Sequence, residues 1–438
     1  MHPAFADILE KRYFQFFRLQ TVRATNSLVD SRFWDKVVLQ MSHVEPAVKH
    51  AVLALSSMHQ LSALPEGSEM KQGHRAFADK EHQKAIRAAR VLIGSARPQD
   101  VERVLIACII FICYDSVRGD FASSAIHMHS GRQIIVDNRQ RLQQTSRRHD
   151  LREIEHTLFR LDIPTITFQD PSSPLSLTLD DYLRTQPMLV VPEFQTVIEA
   201  RASLTDLVRW ILVVGGLAAD PTMPGRVAWH EDYENEVSKC AAQLHIWREC
   251  FENLLLDKPS SSTLSTAMLR LWHTGALIVV AAAGCGPQTR WDDLKHHFAS
   301  IVSLAEVIVK EIPKSDGVSF SLEMGYLDPL WLVVSRCRDP TIRRRAIGLL
   351  RSFRRLEGVW DSAAVAAVGQ RWMELEEEGL PRAMQASDIP ESRRLSRVVT
   401  RTDAATSSAR LQFEYRGVDG ELCLRKEEEV QWGSPCKD

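Results

Sequence analysis

The sequence predicts an all-α fold, a multi-helical bundle or array with a short C-terminal β-hairpin, on three observations. Apolar residues recur at spacings of three and four from Ala4 to about Leu380, the interruptions are short and rich in Pro, Gly and Asp, and strict alternation appears only past residue 410. Phe33, Trp34, Val37 and Val38 form the first strong apolar stripe. Pro46 suits the first turn of the next helix, where its missing N–H costs nothing, and Glu45 beside it favours the positive end of the helix dipole. Val48, Val52 and Leu55 follow on one face, with Ala51 and Ala54 small enough for a close helix contact.

A helix around Ala76 to Ile93 lies between two Pro-containing turns, and Asp100 is read as the N-cap of an apolar helix that includes Val104 to Tyr114. Asp115 to Gly119 is predicted as a turn and Phe121 to Val136 as a helix. Asn138 to Asp150 reads as an exposed polar loop, and Leu151 to Phe168 as a helix. Asp170-Pro-Ser-Ser-Pro174 opens an irregular segment. Seven helices then follow: Gln195–Ala218, Glu231–Leu255, Leu264–Ala283, Trp291–Glu311, Leu327–Ser335, Pro340–Ser352 and Ser362–Glu378. Asp361 is the natural N-cap of the last. Leu411, Phe413 and Tyr415 alternate with polar residues, Gly417 to Gly420 turns, and Leu422 and Leu424 alternate again, which is a hairpin pattern. The organisation expected is a helical half over 1–170, an irregular connection over 171–192, a second helical half over 193–384, a mobile linker over 385–408, and a hairpin with its tail over 409–438.

With 438 residues, 45% of them hydrophobic, the chain can bury a large core, and a net charge of −2 offers no global basic field for non-specific nucleic-acid binding. The eight cysteines include no C-x-x-C pair, and five lie in apolar helical patterns, so buried thiols in a reducing compartment are expected. The N-terminus lacks the pattern of a secretion signal, and the longest apolar runs fall short of the ~20 residues of a membrane span. Neither secretion nor a membrane is expected.

Catalytic and metal motifs do not form. His127 and His129 stand about 200° apart on a helix, His296 and His297 are adjacent, and His230-Glu231 has Glu234 where a zincin motif needs its second histidine. Gly94-Ser95 lacks the glycine of a nucleophile elbow, and Gly215-Gly216 lacks the basic residue of a phosphate loop. Two groups stay open as sites. His127, His129, Trp272 and His273 are candidate lining of an effector pocket between helices, or ordinary core residues. Arg338, Arg343, Arg344, Arg345, Arg351, Arg354 and Arg355, with Arg336, are either solvated arginines paired with carboxylates or a docking surface for an anionic partner.

Several ordered segments resemble the regulatory region of fungal-specific transcription factors of the zinc binuclear cluster class. These are FWDKVVLQMSHVEPAVKHAVLALSSMHQ, FADKEHQKAIRAARVLI, VLIACIIFICYDSVRGDFASSAIHMHSGRQII, FRLDIPTITF, the stretch from SFSLEMGYLDPLW through QRWMELEEE, and the terminal hairpin. The resemblance spans nearly the whole chain. It implies an all-helical regulatory domain, split into the two halves above, in a nuclear transcriptional regulator that performs no catalysis. The implied partners are the transcription machinery or a DNA-binding protein, in a homo- or heterodimer, and the region is expected to sense a small effector. The cytosol is the alternative compartment, and a helical ligand-binding or scaffold protein without a transcriptional role is the alternative function. Members of the class carry a six-cysteine zinc cluster, whereas the first cysteine here is Cys108 within an apolar helix. No cofactor is therefore expected in this sequence, zinc would belong to a cluster encoded upstream, and direct DNA binding by these residues is not expected.

Overall fold

The computed structural model describes residues 7–25, 32–64, 68–95, 98–143, 148–167, 193–219, 226–257, 262–284, 286–312, 319–321, 325–358, 360–380, 385–403, 408–417 and 421–432. The N-terminal helices begin with Ile8–Phe16, where the Asp7 carboxylate accepts from the Leu9 N–H. Two π-helical stretches follow, Phe17–Thr21 and Phe33–Val38. The helix Pro46–Ser62 starts as its sequence requires, with Pro46 in the first turn and the Glu45 side chain accepting from the Ala47 N–H. It packs against Met70–Ser95 and Pro98–Arg118. Phe33, Trp34, Val38, Val48, Val52 and Leu55 meet the continuous buried run Leu105 to Cys113 in one core. That run explains the absence of a polar face in its sequence: neighbouring helices cover it all round.

Asp100 lies inside the helix Pro98–Arg118 rather than at its cap, buried and paired with Arg103. The turn predicted from Asp115 narrows to Gly119, whose φ of 80° lies in the left-handed region that glycine tolerates. Phe121–Gln143 runs on through residues expected to be a polar loop, and Arg148–Thr167 begins within the same segment. The described residues of that segment are helical in spite of their polar composition, since the backbone bonds of a helix are satisfied whatever its side chains are. The expected irregular connection 171–192 and the tail beyond 432 lie outside the described residues.

Arg148–Thr167 links the two halves. Its Ile154, Leu158 and Leu161 belong to the N-terminal core, while Ile163 belongs to the second. The Trp360 Nε1–H, almost two hundred residues downstream, donates to the Pro164 carbonyl at 3.2 Å. The second core gathers Val197–Ala219, Arg226–Asp257, Thr263–Ala281, a 3-10 turn Gln288–Leu294 leading into Lys295–Glu311, Leu327–Arg336, Pro340–Arg351 and Ser362–Glu377. By length and composition alone Thr263–Ala281 would cross a bilayer, but Met268, Leu271, Trp272 and Ile278 are buried in this core, which accounts for its apolarity.

Two small sheets complete the fold. Strand β1 (Ser319–Ser321) pairs in parallel with β2 (Arg355–Glu357), which pairs antiparallel with β3 (Trp360–Asp361). The C-terminal sheet has three antiparallel strands, β4 (Arg397–Asp403), β5 (Ser408–Arg416) and β6 (Leu422–Gln431). The predicted hairpin is β5 and β6. The segment 385–408, expected to be a mobile linker, instead carries two 3-10 turns and β4. Its order comes from partners distant in sequence: Arg394 binds both Asp292 carboxylate oxygens at 2.7 and 2.8 Å, and the Leu395 N–H donates to Glu376. Leu411 and Phe413 of β5 seal this sheet onto Trp372 and Leu375.

Two glycines test the packing in opposite directions. The Glu357 carboxylate caps the helix Leu327–Arg336 by accepting from the N–H groups of Tyr326 and Leu327, and a Cβ on Gly325 would overlap that carboxylate. Gly325→Ala is therefore expected to lower stability by about 1–3 kcal/mol in chemical denaturation. Gly348 is exposed inside the helix Pro340–Arg351 with open space around it, so Gly348→Ala should raise stability by ~0.5–1 kcal/mol.

Candidate functional site

A cavity of about 40 Å³ opens between Val197–Ala219, Thr263–Ala281 and Leu327–Arg336. Its walls are apolar, formed chiefly by Val208, Ile211, Trp272, Gly275 and Leu332, and Asp328 supplies a carboxyl. Trp272 is oriented by its indole N–H, which donates to the Gly325 carbonyl at 2.7 Å. A Cβ on Gly275 would meet nothing within 4 Å, so this glycine leaves space beside the cavity. Burial, and then the charge of Glu357, push the Asp328 carboxyl up to about 7, while a hydrogen bond with Thr167 works the other way.

Of the four pocket candidates, Trp272 alone lines this cavity. His273, its neighbour, is buried on another side of the helix, stacked on Trp247 with Nε2 2.9 Å from the Leu244 carbonyl, to which it donates. Burial pushes its imidazole below the usual range. His127 belongs to the N-terminal half, against Phe111 and 3.6 Å from Asp115, and His129 two residues on is exposed. The four do not converge. Asp328, the polar group at the cavity, has no flag in the sequence beyond its place in the first turn of a helix. Gly275 and Trp272 could have been paired with it only by knowing which helices are neighbours.

Around His127 the ionisable groups are set by burial. Burial and the Asp120 carboxylate raise the Asp115 carboxyl to about 7 against the pull of Arg118, and burial takes His82, stacked on Tyr114, down to about 4. The His127 imidazole is also lowered by burial, so the contact with Asp115 at 3.6 Å is not a strong charge pair. A neutral Asp115 in the fold gains nothing from ionising, whereas the unfolded chain does.

The basic segment is corrected by the structure. Arg338, Arg343 and Arg355 are interior, at 1%, 0% and 0% exposure, and cannot serve as a docking surface. The Arg338 Nη2 and Arg343 Nη1 donate to the two oxygens of Glu376 at 2.8 and 2.7 Å, and the Trp372 indole N–H and Leu395 N–H also donate to that carboxylate. Burial opposes the Glu376 charge, but the Arg338 and Arg343 guanidiniums outweigh it and hold the carboxyl down at about 2. Arg355 bonds Glu357 at 2.6 Å and Ser319 at 2.9 Å. Arg344, Arg345 and Arg354 pair with Glu377, Glu306 and Asp361, and Arg351 is exposed. Arg336 bonds the Ser396 carbonyl and the Gln288 side chain over the Trp291 ring. The helical stripe of Ile342, Ala346 and Leu350 marked a buried face correctly, but Arg343 lies buried beside it because its charge has a partner thirty-three residues away.

Among the described residues, Glu10, His50 and Glu81 bring three potential metal ligands together. Their charges are already used: Glu81 accepts from His50 at 2.6 Å and from Lys84 at 2.6 Å, and Glu10 pairs with Lys49 at 2.8 Å. Burial works against the Glu81 charge and these bonds lower its pKa overall. The set is an ion-pair network that ties Ile8–Phe16 and Met70–Ser95 to Pro46–Ser62. The six described cysteines are free thiols, five of them buried.

Two outcomes follow from these charges. Glu376→Gln leaves two interior guanidiniums without a counter-charge and should cost about 3–5 kcal/mol in denaturant unfolding. The wild-type contribution of Glu376 should also be lost as pH falls from about 4.5 toward 2, because the unfolded carboxyl takes up its proton first. Asp115 has the opposite sign: its folded pKa is raised, so the fold loses stability as pH rises from 3.8 toward about 7. Asp115→Asn should then stabilise the protein at pH 8 more than at pH 4, as read by melting temperature at the two pH values.

Residues 12–187 match the family described as fungal specific transcription factor domain. The aspercryptin biosynthesis cluster-specific transcription regulator atnN of Emericella nidulans is 23% identical over 439 aligned positions, which cover 81% of this chain and 71% of that protein. No solved structure matches. Residues 12–187 thus resemble the fungal-specific transcription factor domain, and together with the regulator relative this supports a role in transcription regulation.

Proposed function

We propose that this regulatory region acts in the nucleus by binding a small effector within its helical bundle and by contacting the transcription machinery or a DNA-bound partner, without catalysing a reaction. The cavity beside Trp272 and Asp328 carries this reading. It lies where three helices of the larger core meet, and a pocket between bundle helices is a common place for a small ligand. A ligand there touches all three helices and biases any equilibrium in which they shift relative to one another, by as much as its affinity for the two arrangements differs. The same helices lead outward. Leu327–Arg336 connects through Arg338 and Glu376 to Ser362–Glu377 and the C-terminal sheet, and Trp360 connects this half to Arg148–Thr167. Occupancy of the cavity therefore has a packed route to both halves, and the surface of either half is where a protein partner would read it. A dimer, with itself or with a related regulator, fits this division of labour.

The reading is supported by the match to a regulator that is named for control of a biosynthesis cluster, and genes of that kind are the first targets to examine. The test is transcriptional. Tethered to a heterologous DNA-binding domain in a fungal host, the chain should change reporter output at least severalfold, and a fluorescently tagged copy should accumulate in the nucleus. A tethered chain that leaves the reporter unchanged under all growth conditions, with the tagged copy excluded from the nucleus, would overturn it.

A further inference from the structure

We propose that the cavity is a site for a small primary aliphatic ammonium, whose alkyl part lies against Ile211, Trp272 and Leu332 and whose nitrogen is held by the Asp328 carboxylate. The inference names the ligand class of the effector site proposed above and rests on that reading for its biological meaning.

Three independent features lead to it. The first is unfilled space: the helix Thr263–Ala281 is rich in Leu, Val, Ile and Ala, yet it carries a glycine at position 275, where a Cβ would touch nothing within 4 Å. A side chain there would fill the cavity, and dense packing is the ordinary state of a protein interior. The second is a carboxyl that the local structure does not need. Asp328 lies in the first turn of Leu327–Arg336, but the N–H groups of Tyr326 and Leu327 at that helix start are taken by Glu357. Thr167 is the side-chain hydrogen-bond partner of Asp328 among the described residues. The third is charge. The buried carboxylates of this half each have a cation: Glu357 and Glu376 have arginine, and Asp339 and Glu236 have lysine. Among the described residues no cation is a cause of the Asp328 shift, and the nearby Glu357 disfavours its ionised form.

Without a counter-charge a carboxyl in an apolar wall takes up a proton, as the raised Asp328 does, and a bound cation would draw it into its ionised form. The described residues present no counter-charge at this place, so the complementary ligand is a cation with N–H donors. A neutral alcohol would supply a hydrogen bond but leave the charge uncompensated. Size narrows the class further. A cavity of about 40 Å³ holds only a few non-hydrogen atoms, since one water-sized sphere occupies about 10–15 Å³ of it. A three-carbon ammonium fits; a bulky quaternary ammonium does not. The Gly275 backbone allows the alkyl chain to reach the helix surface, and the Trp272 ring forms one wall.

The test uses the purified full chain and n-propylamine hydrochloride, with tetramethylammonium chloride at equal ionic strength as the control cation. Propylammonium should raise the melting temperature in a saturable manner and move the Trp272 indole N–H resonance, which Trp272→Phe assigns; the control should do neither. Asp328→Asn should weaken propylammonium binding at least tenfold, and Gly275→Val, which fills the space, should abolish it. Should Gly275→Val fail to fold, Leu332→Phe narrows the same cavity from the opposite wall. No saturable response of the wild type, or equal responses of wild type and Asp328→Asn, would overturn the inference. Saturable binding that leaves the tethered reporter unchanged keeps the site and removes its effector role, so the two readings fail separately.

Discussion

The carboxylate of Glu376 holds together parts of the chain that no local interaction could join. It receives bonds from Arg338, Arg343, Trp372 and the Leu395 backbone, with every group withdrawn from water. One anion thus fixes the connection after Leu327–Arg336, the helix Pro340–Arg351, its own helix Ser362–Glu377 and the start of the C-terminal sheet. An interior charge is costly by itself, and the fold depends on meeting that cost with two guanidiniums and two further donors. Such a cluster specifies one arrangement of its helices more sharply than oily packing does, because any slip leaves a bare charge. Arg355 and Glu357 repeat the device on a smaller scale, where the carboxylate also caps a helix.

These polar anchors shape the candidate site. Leu327–Arg336 is held at its start by Glu357 and beyond its end by Arg338 and Arg343, so the face that carries Asp328 and Leu332 is set against Thr263–Ala281 by charges rather than by apolar contact alone. Space therefore persists at Gly275 without collapse. The gap between a closely packed core and a small cavity is a few methyl groups, and rigid anchoring at both ends of one wall keeps the cavity open. The same helix belongs to the core that Ile163 and Trp360 connect to the N-terminal half, so packed contacts run from the cavity wall to both halves.

The match to the fungal-specific transcription factor domain covers the N-terminal half, while the cavity and the Glu376 cluster lie in the second. The transcription-regulator relative aligns over most of both. Recognition of the family and the chemistry of the proposed site thus come from different parts of the chain.

Helix placement was legible from the residues because periodicity and capping are local. Pro46, Asp361 and the Leu411-Phe413 alternation all act where their pattern says. The same rules misjudged residues 138–150 and 385–408, which look like loop by composition. In the first the described residues are helical in spite of that composition; in the second Asp292 and Glu376 impose order from far along the chain. The arginines between 336 and 355 show the limit most clearly. Their stripe was visible, but whether a guanidinium faces water or an interior carboxylate depends on where Glu376 and Glu357 arrive after folding. The residues alone determined an all-helical fold with a terminal hairpin, since secondary structure follows from neighbours in the chain. Which side chains bound the cavity, which charges are interior and which histidines stand apart were decided by tertiary structure, because those properties belong to contacts between residues tens to hundreds of positions apart.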